Sequence, residues 1–285
     1  MHIEASGAFS YSVQADGRRV SVVIPAVAPN LPTGAIPVRD GLIRYVRVLN
    51  DGLGGTAVDI ILDCPSVPET VWTRDRYPAR LTVRLPREYL GRAFGGRTVV
   101  LDPGHGGGDE GYRGPVNLLE KNVVLRTARQ LEEMLCRAGA RVLLTRRGDE
   151  NPPGPARLAL AAEAGADLFI SLHTHWSADP GVNGCAVHHN TPGAAPAARV
   201  ARAVRARTRL RLRPSRGEPW LEAIAPVPGL LIEIVTISDW VEEGLLRSSH
   251  FHRQMAQGIF NGLRDYLMTL SGAKSGDRAV EGRNV

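Results

Sequence analysis

From Gly95 onward, short apolar segments alternate with segments whose apolar residues recur every three or four positions. The segments "RTVVLD", "ARVLLTR", "DLFISLH" and "GLLIEIVTIS" have the length and composition of buried strands, and "GCAVHHN" is a further candidate. The segments between them, such as "NVVLRTARQLEEMLCRAG", have the periodicity of helices. Strands separated by helices predict an α/β fold, with a mostly parallel sheet that helices cover on both faces.

The first part of the chain has a different pattern. "FSYSVQ" and "RRVSVVIPAV" flank Asp16-Gly17, a hairpin signal, and "LIRYVRVL", "TAVDIILDC" and "ARLTVRLP" alternate apolar and polar residues. This pattern favours a small, all-β, sandwich-like domain. We therefore predict a β-rich domain over 1–92, an α/β domain over 96–270, and a disordered tail over 271–285, where apolar periodicity is absent.

The positive charge of the chain favours anionic partners but does not identify which kind. The formal net charge is +6, and eight arginines lie between Arg199 and Arg216. This stretch is interpreted as a solvated helix face, with contact to anionic wall polymers as the functional alternative. Nucleic acid is not expected, because no stacking platform or recognised motif accompanies the charge. The sequence contains neither a run of eighteen apolar residues, as a membrane span requires, nor a recognisable secretion signal.

Four polar residues lie where the strands of the predicted parallel sheet end. His105 follows the strand "RTVVLD", His173 ends "DLFISLH", and Glu233 lies in "GLLIEIV". Glu120 lies where the first helix begins, after a glycine-rich loop. Functional groups of such sheets collect beyond the carboxyl ends of the strands, so we expect these four side chains at one edge.

Each of these residues taken alone has a structural explanation, but the set points to metal chemistry. A glutamate in an apolar strand must be paired, metal-bound or protonated, because burial of an uncompensated carboxylate is unfavourable. Two histidines and one carboxylate are the usual ligands of catalytic zinc, which keeps a position for water. A second carboxylate then carries the proton of that water to the leaving group. Glu120 can be the ligand, and Glu233 can be the acid/base.

Five segments in order resemble those of the zinc-dependent N-acetylmuramoyl-L-alanine amidases. They are "VVLDPGHGGGDEG", "LLEKNVVLRTARQLEEML", "ARVLLTRRGDE", "RLALAAEAGADLFISLHTH" and "LLIEIVTISD". The resemblance covers roughly residues 96–268. The β-rich first part more loosely resembles the amidase N-terminal (AMIN) domain, which helps to place the catalytic domain on the cell wall.

The resemblance implies specific roles for the four residues. His105, Glu120 and His173 would bind one zinc ion, and Glu233 would be the catalytic acid/base. The implied reaction is hydrolysis of the amide between N-acetylmuramic acid and the L-alanine of the stem peptide, with peptidoglycan as the partner. This substrate implies an extracytoplasmic setting in the cell envelope. The lack of a recognisable secretion signal keeps a cytoplasmic role open.

The chain departs from the family pattern after the second histidine, where Thr174-His175 replaces an alanine-asparagine pair. His175 could therefore crowd the site, contact substrate or offer the metal another nitrogen. His175 and Arg157 are candidates for substrate contact or for support of the metal ligands. His188 and His189 lie on opposite faces of a candidate strand and are interpreted as structural. Two alternatives to the amidase stay open: a non-catalytic wall-binding or regulatory protein, and a zinc peptidase acting on stem-peptide bonds.

Overall fold

The computed structural model describes residues 1–38, 41–73 and 77–275, with side chains as far as residue 270. The chain divides into two compact units, Met1–Gly91 and a second that starts at Arg92, and each is considered by itself. Across these described residues, no helix combines the length and the apolar character that a membrane crossing requires.

The first unit consists of two antiparallel sheets. Its strands are β1 (His2–Ala5), β2 (Ser12–Asp16), β3 (Arg19–Ile24), β4 (Gly34–Pro37), β5 (Ile43–Asn50), β6 (Thr56–Leu62), β7 (Glu69–Thr73) and β8 (Ala79–Arg84). The sheets have the orders β1-β8-β7 and β2-β3-β6-β5-β4. Inward-facing residues of β3, β6 and β8, among them Val22, Ile60 and Leu81, form a shared core. The prediction of a sandwich-like β domain is thus confirmed.

The strands β1, β4 and β7 were not predicted from the sequence. β4 is exposed along its whole length, and three of the five residues in β7 are exposed. Alternation of apolar and polar residues arises only where one face of a strand is buried, so short edge strands of this kind lack the signal. Hydrogen bonds to β5 and β8 define them instead.

The second unit contains one five-stranded sheet covered by helices. After α1 (Glu88–Phe94), the elements are β9 (Thr98–Pro103), α2 (Glu120–Arg137), β10 (Arg141–Leu144), α3 (Gly154–Glu163), β11 (Leu168–His175), β12 (Ala186–His189), α4 (Ala194–Thr208), β13 (Gly229–Thr236), α5 (Trp240–Leu246) and α6 (Ser249–Ser275). The strand order is β10-β9-β11-β13-β12, and only β12 runs antiparallel. This confirms the predicted α/β fold with a mostly parallel sheet.

Helices pack on both faces of this sheet. Helix α6 contacts both α2 and α4, and α2 also lies against β9 and β11. On the other face, α3 and a short 3-10 helix, Pro219–Ile224, pack on apolar side chains of β9 and β11. Because both faces are covered, the functional side chains of the sheet can emerge only at the ends of the strands.

Three helix boundaries differ from the sequence prediction. The single closing helix expected over 240–268 is two helices, because the side chain of His252 in α6 bonds the Leu246 carbonyl at the end of α5. The basic helix ends at Thr208 rather than at Arg213, since Arg209 is left-handed (φ +62°) and the following residues pair with Cys185.

The third difference concerns the tail. Helix α6 continues to Ser275, five residues into the segment predicted to be disordered, and the rest of that segment, 276–285, lies outside the described residues. Such an extension does not require apolar periodicity, because an existing helix gains one backbone hydrogen bond for each residue added.

Candidate metal centre

Three side chains from separate elements meet at the carboxyl end of the sheet. His105 follows β9, Glu120 is the first residue of α2, and His173 lies in β11, which pairs with β9. Nε2 of His105 lies 3.2 Å from Oε1 of Glu120 and 3.2 Å from Nδ1 of His173. The third side of this triangle, from His173 to Glu120, is also 3.2 Å. We call these three residues the donor triad.

The geometry of the donor triad fits a tetrahedral zinc ion. Zinc binds nitrogen and oxygen ligands at about 2.0–2.1 Å, so two ligands of a tetrahedron lie about 3.3 Å apart. The observed spacing of 3.2 Å is close to that value. Among the described residues, this is the one group of three or more potential metal-binding side chains that come together.

The glycine-rich loop before α2 makes room for the donor triad. A Cβ atom on Gly104 would lie 2.2 Å from Cε1 of His173, and one on Gly111 would lie 2.6 Å from Cδ2 of His105. His105 itself has a left-handed backbone (φ +62°), a conformation that is uncommon outside glycine. Such strain persists only where the surrounding structure holds it, and it is concentrated at functional sites.

Hydrogen bonds orient two of the donors, His105 and Glu120, toward the centre of the triad. Nδ1 of His105 lies 2.9 Å from Oδ2 of Asp109, which leaves Nε2 free to bind a metal. Oε1 of Glu120 accepts from the Thr174 backbone N–H at 2.7 Å, and Oε2 accepts from that of Tyr112 at 2.9 Å. Burial tends to raise the pKa of Glu120, but the hydrogen bonds from both histidines outweigh it and hold that pKa well below the usual range.

A buried polar network supports the loop from below. Arg157 pairs with Asp102 at 2.8 Å, and both side chains are at most 8% exposed. Nη2 of Arg157 also donates to the carbonyl of His105 at 2.9 Å. Arg157 was a candidate for substrate contact or ligand support, and the structure shows it holding the backbone of His105 from the protein interior.

Glu233 lies on β13, beside His173 of β11 and Ala186 of β12. Its carboxylate faces three basic side chains: Arg213, which donates to Oε2, His188 at 3.4 Å from Oε2, and His175 at 3.5 Å from Oε1. Burial tends to raise the pKa of Glu233, yet the bonds from His188 and Arg213 lower it to about 2. Glu233 is therefore ionised at neutral pH.

The structure resolves the position of His175. Its Nδ1 faces Glu233 rather than completing the donor triad. Burial lowers the pKa of His175, and the nearby charge of Arg213 lowers it further. His175 is thus uncharged at neutral pH, with a proton on one of its two ring nitrogens.

Three residues at the site were missed from the sequence. Asp109 bonds His105, Arg213 bonds Glu233, and His188 approaches Glu233 although it was interpreted as structural. For Asp109 a signal existed, since an acid four residues after a histidine in one loop can fold back onto it. Arg213 carried no such signal, because it is one of eight arginines between Arg199 and Arg216.

Exposed aromatic residues border the donor triad. The rings of Tyr112 and Trp176 are stacked, with centroids 6.3 Å apart and planes 25° apart. Tyr112 is 49% exposed and Trp176 is 46% exposed. A cavity of about 480 Å³ beside the triad is lined by His105, His173 and Trp220, among others. Both features leave surface for a ligand next to the donors.

Residues 99–265 match the protein family described as N-acetylmuramoyl-L-alanine amidase. The chain is 32% identical over 229 residues to N-acetylmuramoyl-L-alanine amidase AmiC of Neisseria meningitidis, a match covering 63% of this chain and 55% of that protein. It is 32% identical over 177 residues to "Probable cell wall amidase LytH" of Staphylococcus epidermidis, covering 60% and 59%. The chain thus spans a little over half the length of these curated relatives.

The fold of the chain is also similar to that of a solved amidase structure. N-acetylmuramoyl-L-alanine amidase AmiC2 of Nostoc punctiforme superposes with a TM-score of 0.59 and 30% identity, covering 61% of this chain and 99% of that structure. The family match lies wholly within the second unit. The likeness of the first unit to the AMIN domain stays a prediction.

Proposed function

The chain belongs to the N-acetylmuramoyl-L-alanine amidase family, and from this we propose that it hydrolyses the amide between N-acetylmuramic acid and the L-alanine of the stem peptide. The observation that carries the proposal is the donor triad at 3.2 Å spacing, with a carboxylate, Glu233, on the neighbouring strand. A metal-assisted hydrolase requires both parts: ligands for the ion and a separate group that moves the proton.

His105, Glu120 and His173 would hold the zinc ion. When bound, zinc polarises a carbonyl and makes water more acidic, so that a nucleophile is available at neutral pH. Asp109 would keep the Nδ1 proton of His105 in place, and the N–H groups of Thr174 and Tyr112 would keep the carboxylate of Glu120 in position.

Glu233 would move the proton of the reaction. Because it is ionised at neutral pH, it would begin as the acceptor, take the proton of the attacking water, and return it to the leaving nitrogen of L-alanine. Oε2 is engaged by Arg213 and His188, which leaves Oε1 for this transfer.

Peptidoglycan would bind along the exposed surface around the triad. The rings of Tyr112 and Trp176 offer a flat apolar face to a sugar of the glycan, since aromatic faces attract the slightly positive C–H groups of other rings. Arg202 and Arg205 of helix α4 are exposed and could meet anionic wall polymers. The substrate implies an extracytoplasmic site of action in the cell envelope.

Mass spectrometry of digested peptidoglycan tests the proposal against its alternatives. The amidase releases free stem peptides and leaves intact glycan. A zinc peptidase would instead leave truncated peptides attached to sugar, and a non-catalytic wall-binding protein would release neither product. Glu233→Gln should abolish turnover while about one zinc per chain is retained, because the change removes the proton carrier and no ligand. Turnover by this variant at the parent rate would contradict the role of Glu233.

A further inference from the structure

The carboxylate of Glu233 is held from two sides on one of its oxygens. Arg213 donates from Nη2 to Oε2, and Nε2 of His188 lies 3.4 Å from the same atom. Both partners are largely buried, with side chains 13% and 4% exposed. The contact of Oε1, with His175 at 3.5 Å, is longer. The two oxygens of Glu233 are therefore not equivalent.

A hydrogen bond to Nδ1 of His188 shows which of its ring nitrogens can act as a donor. Its Nδ1 accepts from the backbone N–H of Arg216 at 3.2 Å, so in neutral His188 the proton is on Nε2. Nε2 lies 3.4 Å from Oε2 of Glu233, the oxygen to which Arg213 donates.

The backbone around Arg213 holds it in this position. The N–H of Cys185 donates to the Arg211 carbonyl at 2.9 Å, and the N–H of Arg213 donates to the Cys185 carbonyl at 2.8 Å. Nε of Arg213 also lies 3.3 Å from the carbonyl of Gly184. A Cβ atom on Gly184 would lie only 2.2 Å from the Arg211 carbonyl oxygen, so this close pairing depends on glycine.

We propose that Arg213 is a positioning residue for Glu233: together with His188 it anchors Oε2, so that Oε1 is the oxygen that takes and returns the proton. The proposal rests on the proposed function. Its physical basis is that a carboxylate in an apolar strand stays charged only beside a compensating charge, and that a base needs one lone pair free. The lowered pKa of Glu233 agrees with this arrangement.

The charged and titratable groups that bear on Glu233 come from each neighbouring element. His175 lies on β11, His188 on β12, and Arg213 on the segment after α4. Glu242 of α5 bonds the N–H of Gly184, whose carbonyl contacts Arg213. Of these groups, Arg213 carries the full positive charge at every pH of interest.

Kinetics of Arg213→Gln test the proposal. We expect kcat to fall about 10- to 100-fold, as for other residues that orient a reacting group, while KM stays unchanged. In the pH profile of kcat, the loss of activity on the acid side should move to a pH about 1–3 units higher, because removal of a nearby cation raises the pKa of the Glu233 carboxyl. Arg213→Lys should restore part of kcat. Arg211→Gln, an exposed arginine of the same segment, is the matched control and should behave as the parent.

A second measurement does not depend on activity. With ¹³C-labelled glutamate carboxyls, the Glu233 signal is identified by its absence in Glu233→Gln. It should stay constant from pH 7 to about 4 in the parent and titrate within that range in Arg213→Gln.

The outcomes separate the two proposals. An unmoved Glu233 titration would overturn the anchoring role, and so would a raised KM with unchanged kcat, since Arg213 would then bind substrate. If the parent chain cleaves no peptidoglycan while the titration still moves, the proposed function fails and the anchoring of Glu233 stands.

Discussion

Nδ1 of His105 lies 2.9 Å from Oδ2 of Asp109, four residues later in the same glycine-rich loop. The loop thus supplies a proposed metal ligand together with the acceptor that orients it. An imidazole with its Nδ1 proton engaged presents the Nε2 lone pair, which here faces Glu120 and His173. This pair of residues supports the proposed role of the loop in metal binding.

Asp109→Ala should weaken zinc binding about 10- to 100-fold, because His105 loses the acceptor that holds its ring. Asp109→Asn keeps an acceptor oxygen and should retain more affinity. Competition with a chromophoric chelator measures both. Glu110→Ala alters the adjacent exposed acid and is the control. Parent-like affinity in Asp109→Ala would show that the contact does not orient the ligand.

Gly104→Ala should abolish zinc binding and activity, because the new Cβ would lie 2.2 Å from Cε1 of His173. The matched control is Gly108→Ala in the same loop, where a Cβ atom meets nothing within 4 Å. Metal analysis of the purified proteins, with circular dichroism to verify the fold, distinguishes the two. A Gly104→Ala protein that retains one zinc per chain would refute the packing argument.

Asp102→Asn should lower the free energy of unfolding by about 3–5 kcal/mol, because it leaves the buried Arg157 without its counter-ion. Asp102 also accepts from Ser171 at 2.7 Å and from Thr145 at 2.6 Å. Urea denaturation gives the value. Glu133→Gln, in a pair with Arg137 whose two side chains are both exposed, should change it by no more than about 0.5 kcal/mol. Equal effects at the two sites would contradict the importance of the buried pair.

His252 should make the stability of the chain depend on pH. Burial lowers its pKa despite the acceptor carbonyl of Leu246. Below about pH 6.5 the unfolded chain binds more protons than the folded chain, so the free energy of unfolding should decrease as pH falls from 7 to 5. His252→Gln should show a shallower decrease, and the difference between the two curves isolates His252 from other groups. Parallel curves would disprove its contribution.

Much of the candidate site could be predicted from local pattern. His105, Glu120, His173 and Glu233 stand at the ends of recognisable strands or at the start of a helix, and parallel strands deliver such residues to one edge. The same patterns predicted the α/β sheet and the β-rich first unit. The division of the closing helix near Leu246 was not predicted, although the side chain of His252 bonds the Leu246 carbonyl only six residues earlier.

The order of strands and helices follows from sequence periodicity, since burial of one face imposes a repeat on any segment. The four candidate residues were identified by their places relative to those elements and by the family resemblance. The relations between those residues come from packing. The three donors, 3.2 Å apart, come from a loop, a helix and a strand. Glu233 is bound by Arg213, twenty positions away in the chain. Of the eight arginines between Arg199 and Arg216, Arg213 becomes the partner of Glu233 because residues 211–213 lie beyond the end of helix α4 and pair with Cys185. Such a contact depends on how distant segments pack, and no short-range pattern encodes it.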